Sequence, residues 1–171
     1  MPVSGSAVGT GPFLQALLGA FQTALPTAIS AVVSAGGTGL TGNTITTIQT
    51  AHMEVRSDIE NVKTLPFLCL YADSVDTENK ASPFTDHLLD LRFVVVCRSP
   101  LSNASGADDL AHLYCLALRE AFDQCLPYGV SGFQAYWAQV DGYGIERPEG
   151  GDRWRRHAIL RARTRVRSAR S

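Results

Sequence analysis

The sequence predicts one soluble globular domain that mixes helices with strands. Three observations predict it. The chain of 171 residues has the length of a single domain, and its 45% apolar and 18% charged residues match a folded soluble protein rather than a disordered or collagen-like one. Two segments carry apolar residues at helical spacing, while others alternate with the period of a strand. Repeated βαβ units, which would mark a doubly wound parallel sheet, are missing.

The first segment, 13–35, places Leu14, Leu17, Leu18, Phe21 and Leu25 at spacings of three and four, the pattern of one buried helical face. Its length alone would allow a membrane span. Gln15, Gln22 and Pro26 interrupt it, four Thr and Ser residues dilute it, and no Lys or Arg flanks it, so packing on protein is the expectation and no membrane partner is assigned. Pro26 should end or kink this helix, because proline lacks the backbone donor and clashes with the preceding turn. The piece 28–34 reads as either helix or strand.

Residues 35–50 are a Gly/Thr-rich run expected to be a loop or arm. Gly37, Gly39 and Gly42 have GxGxxG spacing, but the β-branched residues Thr44 to Ile48 that follow are poor helix openers, so a phosphate cradle is disfavoured. Met1 to Met53 contains no Asp, Glu, Lys or Arg. A boundary is therefore placed after residue 51: an uncharged helix plus arm over 1–51, and the main domain over 52–171.

Leu65 to Ala72 is a continuous apolar run of strand length, followed by a polar loop over 73–83. Leu88 to Arg98 alternates, with Leu89, Leu91, Phe93, Val95 and Cys97 on one face, as a half-buried strand requires. After a turn over 100–106, residues 107–126 form the strongest predicted helix: Leu110, Leu113, Tyr114, Ala117, Leu118, Ala121 and Cys125 share a face. Asp108 and Asp109 are read as first-turn acids that favour the positive helix end. A strand is expected over 130–140, then a turn-rich connection over 142–151.

The last element, 153–167, is the most informative. Alternation puts Ala158, Leu160, Ala162, Thr164 and Val166 on one face, and His157, Ile159, Arg161, Arg163, Arg165 and Arg167 on the other. Residues 147–171 hold nine Arg against Glu149 and Asp152, a local charge of +7. The rest of the chain carries −8, which the overall charge of −1 conceals. Segregated charge of both signs suits a contact between subunits, with an arginine ladder meeting carboxylates. Contact with nucleic-acid phosphates and a solvated edge strand whose charges deter aggregation are the other readings.

No catalytic constellation emerges. The four histidines are scattered without HExxH or paired spacing, and Asp86, His87 and Ser99 lack the local signature of a nucleophile set. Cys69, Cys97, Cys115 and Cys125 lie in apolar runs without a CxxC pair, so reduced core thiols, a reducing compartment at assembly and no metal are expected. No enzyme activity and no cofactor are expected.

Taken in order, the elements are an N-terminal helix, the strand LPFLCLY, a polar loop, the strand HLLDLRFVVV, a long amphipathic helix and two C-terminal strands. This order resembles the tail-terminator proteins of tailed bacteriophages and is similar to the cap proteins of phage-like contractile injection systems. The likeness runs over about residues 52–167 and is nearest in 65–71, 87–96 and 108–122. The resemblance implies an α+β fold with a central, mostly antiparallel sheet flanked by helices. It implies a virion protein of the tail or neck, assembled in the host cytoplasm as a homo-oligomer, a hexameric ring. Its implied partners are the tail tube protein, the neck or connector protein and, in contractile tails, the sheath protein, with genomic DNA only passing through the lumen. Arg161, Arg163, Arg165 and Arg167, with Arg153 and Arg155, are then expected at a subunit interface or lining that lumen. A head-closure or neck protein of the same particle is the alternative, and a nucleic-acid-binding protein using the arginine strand is a second.

Overall fold

A computed structural model of the protein describes residues 11–35, 50–53, 65–78, 84–101, 103–130, 133–149 and 152–169. Seven elements follow one another: α1 (Gly11–Ser34), β1 (Thr50–Met53), β2 (Phe67–Glu78), β3 (Phe84–Arg98), α2 (Ala104–Cys125), β4 (Gln134–Glu146) and β5 (Arg155–Ala169). The strands form one sheet in the order β1-β2-β3-β5-β4. β1 is parallel to β2, and every other pair is antiparallel. This is the expected α+β fold with a mostly antiparallel sheet, and both helices pack on the same face of it. The glycine-rich GxGxxG run lies outside the described residues.

Helix α1 does not break at Pro26. Its buried stripe (Phe13, Leu14, Leu17, Leu18, Phe21, Leu25, Ala28 and Ile29) continues on both sides of the proline, which itself points outward. Burying each large apolar side chain is worth roughly 1.5–3 kcal/mol, against about 3 kcal/mol for an internal proline, so the stripe wins. The piece 28–34 is therefore helical. By length and composition α1 could cross a membrane; here its apolar stripe is buried against α2 and the sheet.

Parts of two expected loops are strand. β2 continues through the polar residues to Glu78 because its backbone pairs with β3 as far as Glu78↔Asp86, with a bulge between Ala72 and Ser74. β4 likewise starts at Gln134, four residues later than expected, and runs on through Gly142 and Gly144 to Glu146, with irregularities at Ala135/Trp137 and Val140/Gly142. In both cases the ladder satisfies backbone groups whatever the side chains are.

Helix α2 opens three residues earlier than its apolar face suggests. Asn103 caps it by accepting a hydrogen bond from the Gly106 amide at 2.6 Å. A Cβ at position 106 would stand 2.9 Å from that same Asn103 oxygen and 3.0 Å from the Leu101 Cβ, so a larger residue there would displace the cap. The earlier start moves Asp108 and Asp109 out of the first turn, so the helix-dipole reading of that pair is replaced by the pairing described below.

The main core lies between the helices and the sheet. At its centre Phe93 of β3 stacks on Phe21 of α1 at 4.2 Å between centroids and meets Phe122 of α2 edge-on at 6.0 Å. Side chains of α1 and of the sheet and α2 between Leu68 and Val166 thus share one apolar cluster. The opposite face holds a smaller cluster of Phe67, Cys69, Val94, Val96 and Ile159. All four cysteines are buried, and none forms a disulfide. Burial pushes the Cys97 thiol up to about 12 and those of Cys115 and Cys125 up to about 11, which makes them inert packing residues.

Candidate interaction surface

β5 runs between β3 and the edge strand β4, so its outward side chains form a row on the helix-free face one strand in from that edge. The register sets Arg161 opposite Arg92, Arg163 opposite Asp90, Arg165 opposite Leu88 and Arg167 opposite Asp86 on β3. On β4 the corresponding neighbours are Gly142, Gln139, Trp137 and Gln134. The alternation expected for the arginine ladder is therefore realised, with Arg161, Arg163, Arg165 and Arg167 side by side.

Each of these four arginines has a carboxylate in its own chain. Arg163 grips Asp141 through two hydrogen bonds of 2.8 Å, and Arg167 grips Asp86 through bonds of 2.8 and 3.1 Å. These are the planar bidentate pairs that a guanidinium favours. Arg161 to Glu146, at 3.8 Å, and Arg165 to Glu78, at 4.0 Å, are looser. Arg92 turns away from Arg161 to pair with Asp73. Hydrogen bonding to Asp141 and to Asp86 raises the pKa of Arg163 and of Arg167 above the ordinary value.

Aromatic rings collect at the Arg167 end of the ladder. Arg165 lies over Trp137 at 5.9 Å, and Arg167 lies near both Tyr136 at 5.0 Å and Phe84 at 5.6 Å. Arginine with partly exposed aromatics is the composition of protein contact surfaces. Arg153 and Arg155 belong to the other end. Arg153 sits in the turn before β5, over the Trp154 ring at 4.5 Å, and Arg155 opens β5 across from Arg98, which pairs with Asp152.

Sequence reasoning missed Arg156. It is almost fully buried, at 3% exposure, with its guanidinium bonded to Asp108 of α2 and donating to the carbonyls of Arg153 and Arg155 at 2.8 Å each. Arg147 adds a second bond to Asp108 at 2.8 Å. The available signal was parity: Arg156 shares the inward face with Ala158 and Leu160. Burial acts to raise the Asp108 pKa, but the hydrogen bonds from Arg156 and Arg147 prevail and hold it below the ordinary carboxylate value.

Asp86, His87 and Ser99 do not come together. Asp86 faces Arg167 across the ladder, while His87 lies on the other face of β3 with its Nδ1 at 3.2 Å from the Thr77 hydroxyl. Ser99 is twelve residues farther along an extended chain, roughly 40 Å away, where its hydroxyl accepts from the Leu101 amide. Among the described residues no group of three His, Cys, Asp or Glu side chains is placed to hold a metal ion.

Burial lowers the His87 pKa despite the opposing charge of Asp86. The folded state therefore binds a proton less readily than the unfolded chain, whose histidine titrates near 6.5. This contribution to stability is complete above that value, declines as pH falls below it, and levels off below the folded pKa. Denaturant unfolding of the wild type and His87→Gln from pH 7.5 to 5 is expected to show a decline that is smaller in the variant. Parallel curves would refute the assignment.

No protein-family model and no curated protein matches the chain. Among solved structures the fold is similar to a chain of the virion of a native gene transfer agent (GTA) particle, at 17% identity and a TM-score of 0.50. The match covers 86% of this chain and 94% of that one, so it takes in nearly the whole α+β arrangement. The protein shares its fold with that virion chain.

Proposed function

We infer that the protein is a structural component of a phage-like virion, and specifically a tail terminator. It forms a ring that stops growth of the tail tube and joins the tube to the neck or connector. The observation that carries this reading is the likeness to a virion chain over nearly the full length of both. The element order, which resembles tail terminators, supports the finer assignment. In this reading residues 52–171 are the terminator body, and residues 1–51 add α1 and an arm. A homo-oligomer, a hexamer, is the working state, with tail tube, neck and, in contractile tails, sheath proteins as partners. The site of action is the tail or neck of a particle assembled in the host cytoplasm.

A terminator ring is a head-to-tail association that closes on itself instead of continuing as a filament. The ladder fits such a role better than it fits phosphate binding. All four of its arginines already face carboxylates, which reduces the positive potential that DNA would meet. The same balance suits a lumen through which a genome must pass without sticking.

Light scattering at low and high salt tests the proposal, with the protein alone and with assembled tail tubes. The expected result is a ring of defined mass, either free or on tube ends, which blocks further tube growth. A chain that stays monomeric, ignores tubes and shifts duplex DNA in a steeply salt-dependent way would overturn it. A ring that binds only portal-side proteins would move the assignment to head closure.

A further inference from the structure

The two edges of the sheet are unlike each other. Among the described residues no strand pairs with the outer side of β4, and β1 covers β2 only from Phe67 to Leu70. Among the described residues nothing pairs with the outer side of Ala72–Thr77 of β2, a segment that carries Asp73 and Asp76, both exposed. The facing half of β4, residues 134–140, has no charged residue and no proline, the usual guards of a strand edge. One strand inward from it stand Arg163 and Arg165.

The open segments also match in height and direction. Through the register, Asp76 is level with Leu88, Arg165 and Trp137, and Ser74 is level with Asp90, Arg163 and Gln139. β2 and β4 run in opposite directions, because three antiparallel pairings separate them. A copy related by rotation about an axis along the strands would thus bring its β2 edge beside β4 as an antiparallel neighbour, without axial displacement and with its helices on the same side.

We propose that β4 of one subunit takes the open edge of β2 from a second copy of this chain as its next strand, so that the sheet continues from subunit to subunit around the ring. The pairing rests on the ring reading above. Charge selects it: the incoming Asp76 falls in the row of Trp137 and Arg165, the ladder arginine whose own-chain bridge is the longest. Exposed Tyr143, which packs on His112 at 5.6 Å, and exposed Leu116 supply apolar surface farther along the same flank.

Cysteine cross-linking tests it. Ser74 and Gln139, which the proposed pairing sets directly across from each other, occupy strands three spacings apart within one chain, roughly 14 Å, too far for a disulfide there. The double variant Ser74→Cys/Gln139→Cys, oxidised at high protein concentration, is expected to give a ladder of covalent oligomers ending at the mass of the ring. Neither single variant should give more than background, and the buried native cysteines in the wild type supply that background. A ring by light scattering with no ladder would overturn the edge pairing and leave the ring reading standing. An unending ladder with no defined mass would support the pairing and overturn the closed ring. Dimers from Gln139→Cys alone would replace the proposal with a two-fold contact between β4 strands, and monomers without cross-links under all conditions would overturn both.

Discussion

Replacing Asp108 with alanine is expected to lower the unfolding free energy by about 3 kcal/mol, the low end of the range for stranding one partner of a buried ion pair. Arg156 is the reason: its guanidinium is almost completely buried, and Asp108 is the carboxylate paired with it. The cost stays at the low end for two reasons. Two backbone carbonyls continue to accept from Arg156, and the Asp108 side chain is about a third exposed, so water can partly replace it. Arg147→Ala, which removes only an exposed partner of the same carboxylate, should cost less than about 1 kcal/mol.

The same pair sets a sign for acid. The folded Asp108 pKa is depressed, so its contribution is present above the unfolded value near 3.9 and is lost as pH falls through the folded value. Urea unfolding at pH 7 should separate the wild type from Asp108→Ala by the full amount, and the gap should narrow below pH 4. A loss at pH 7 of the same size as that of Arg147→Ala would show that the buried pair is not what ties α2 to β5.

Phe93→Ala is expected to cost about 4 kcal/mol, the usual cost of removing a fully buried phenylalanine. Phe93 holds three elements at once, its ring lying between Phe21 of α1 and Phe122 of α2. Phe21→Ala should cost about 3 kcal/mol, and the double variant should cost less than the sum, with a coupling near 1 kcal/mol for the stacked pair. Unfolding followed by circular dichroism and tryptophan fluorescence should coincide in every variant, as for one cooperative unit. If α1 were only an arm, Phe21→Ala would erode helical signal before the main transition and leave its midpoint in place.

Much of the fold was legible because burial imposes a period. β3 and β5 were read face by face, and the arginine ladder was read residue by residue, because alternate side chains of a strand have no choice of side. The apolar stripe of α1 and the long face of α2 were equally plain. The weak points were segments whose side chains do not report their backbone. The polar half of β2 and the glycine-containing half of β4 are strand because a neighbour pairs with them, and β1 has four residues, too few for any period to show. Pro26 misled for a related reason, since a local rule was overruled by burial on both sides of it.

The sequence by itself determined the segregation of charge, the two-faced character of the last strand, the apolar faces of both helices and the placement of all four cysteines in the core. Each follows from composition or periodicity along a single segment. Only the tertiary structure decided that both helices share one face, that the ladder is answered by carboxylates from β2, β3 and β4, that Arg156 is buried against Asp108, and that the unpaired stretches of β2 and β4 among the described residues stand at the same height. These depend on which segments lie side by side. Partners separated in sequence by 15 to 87 residues, from Arg161 with Glu146 to Arg165 with Glu78, leave no trace in the pattern of either segment alone.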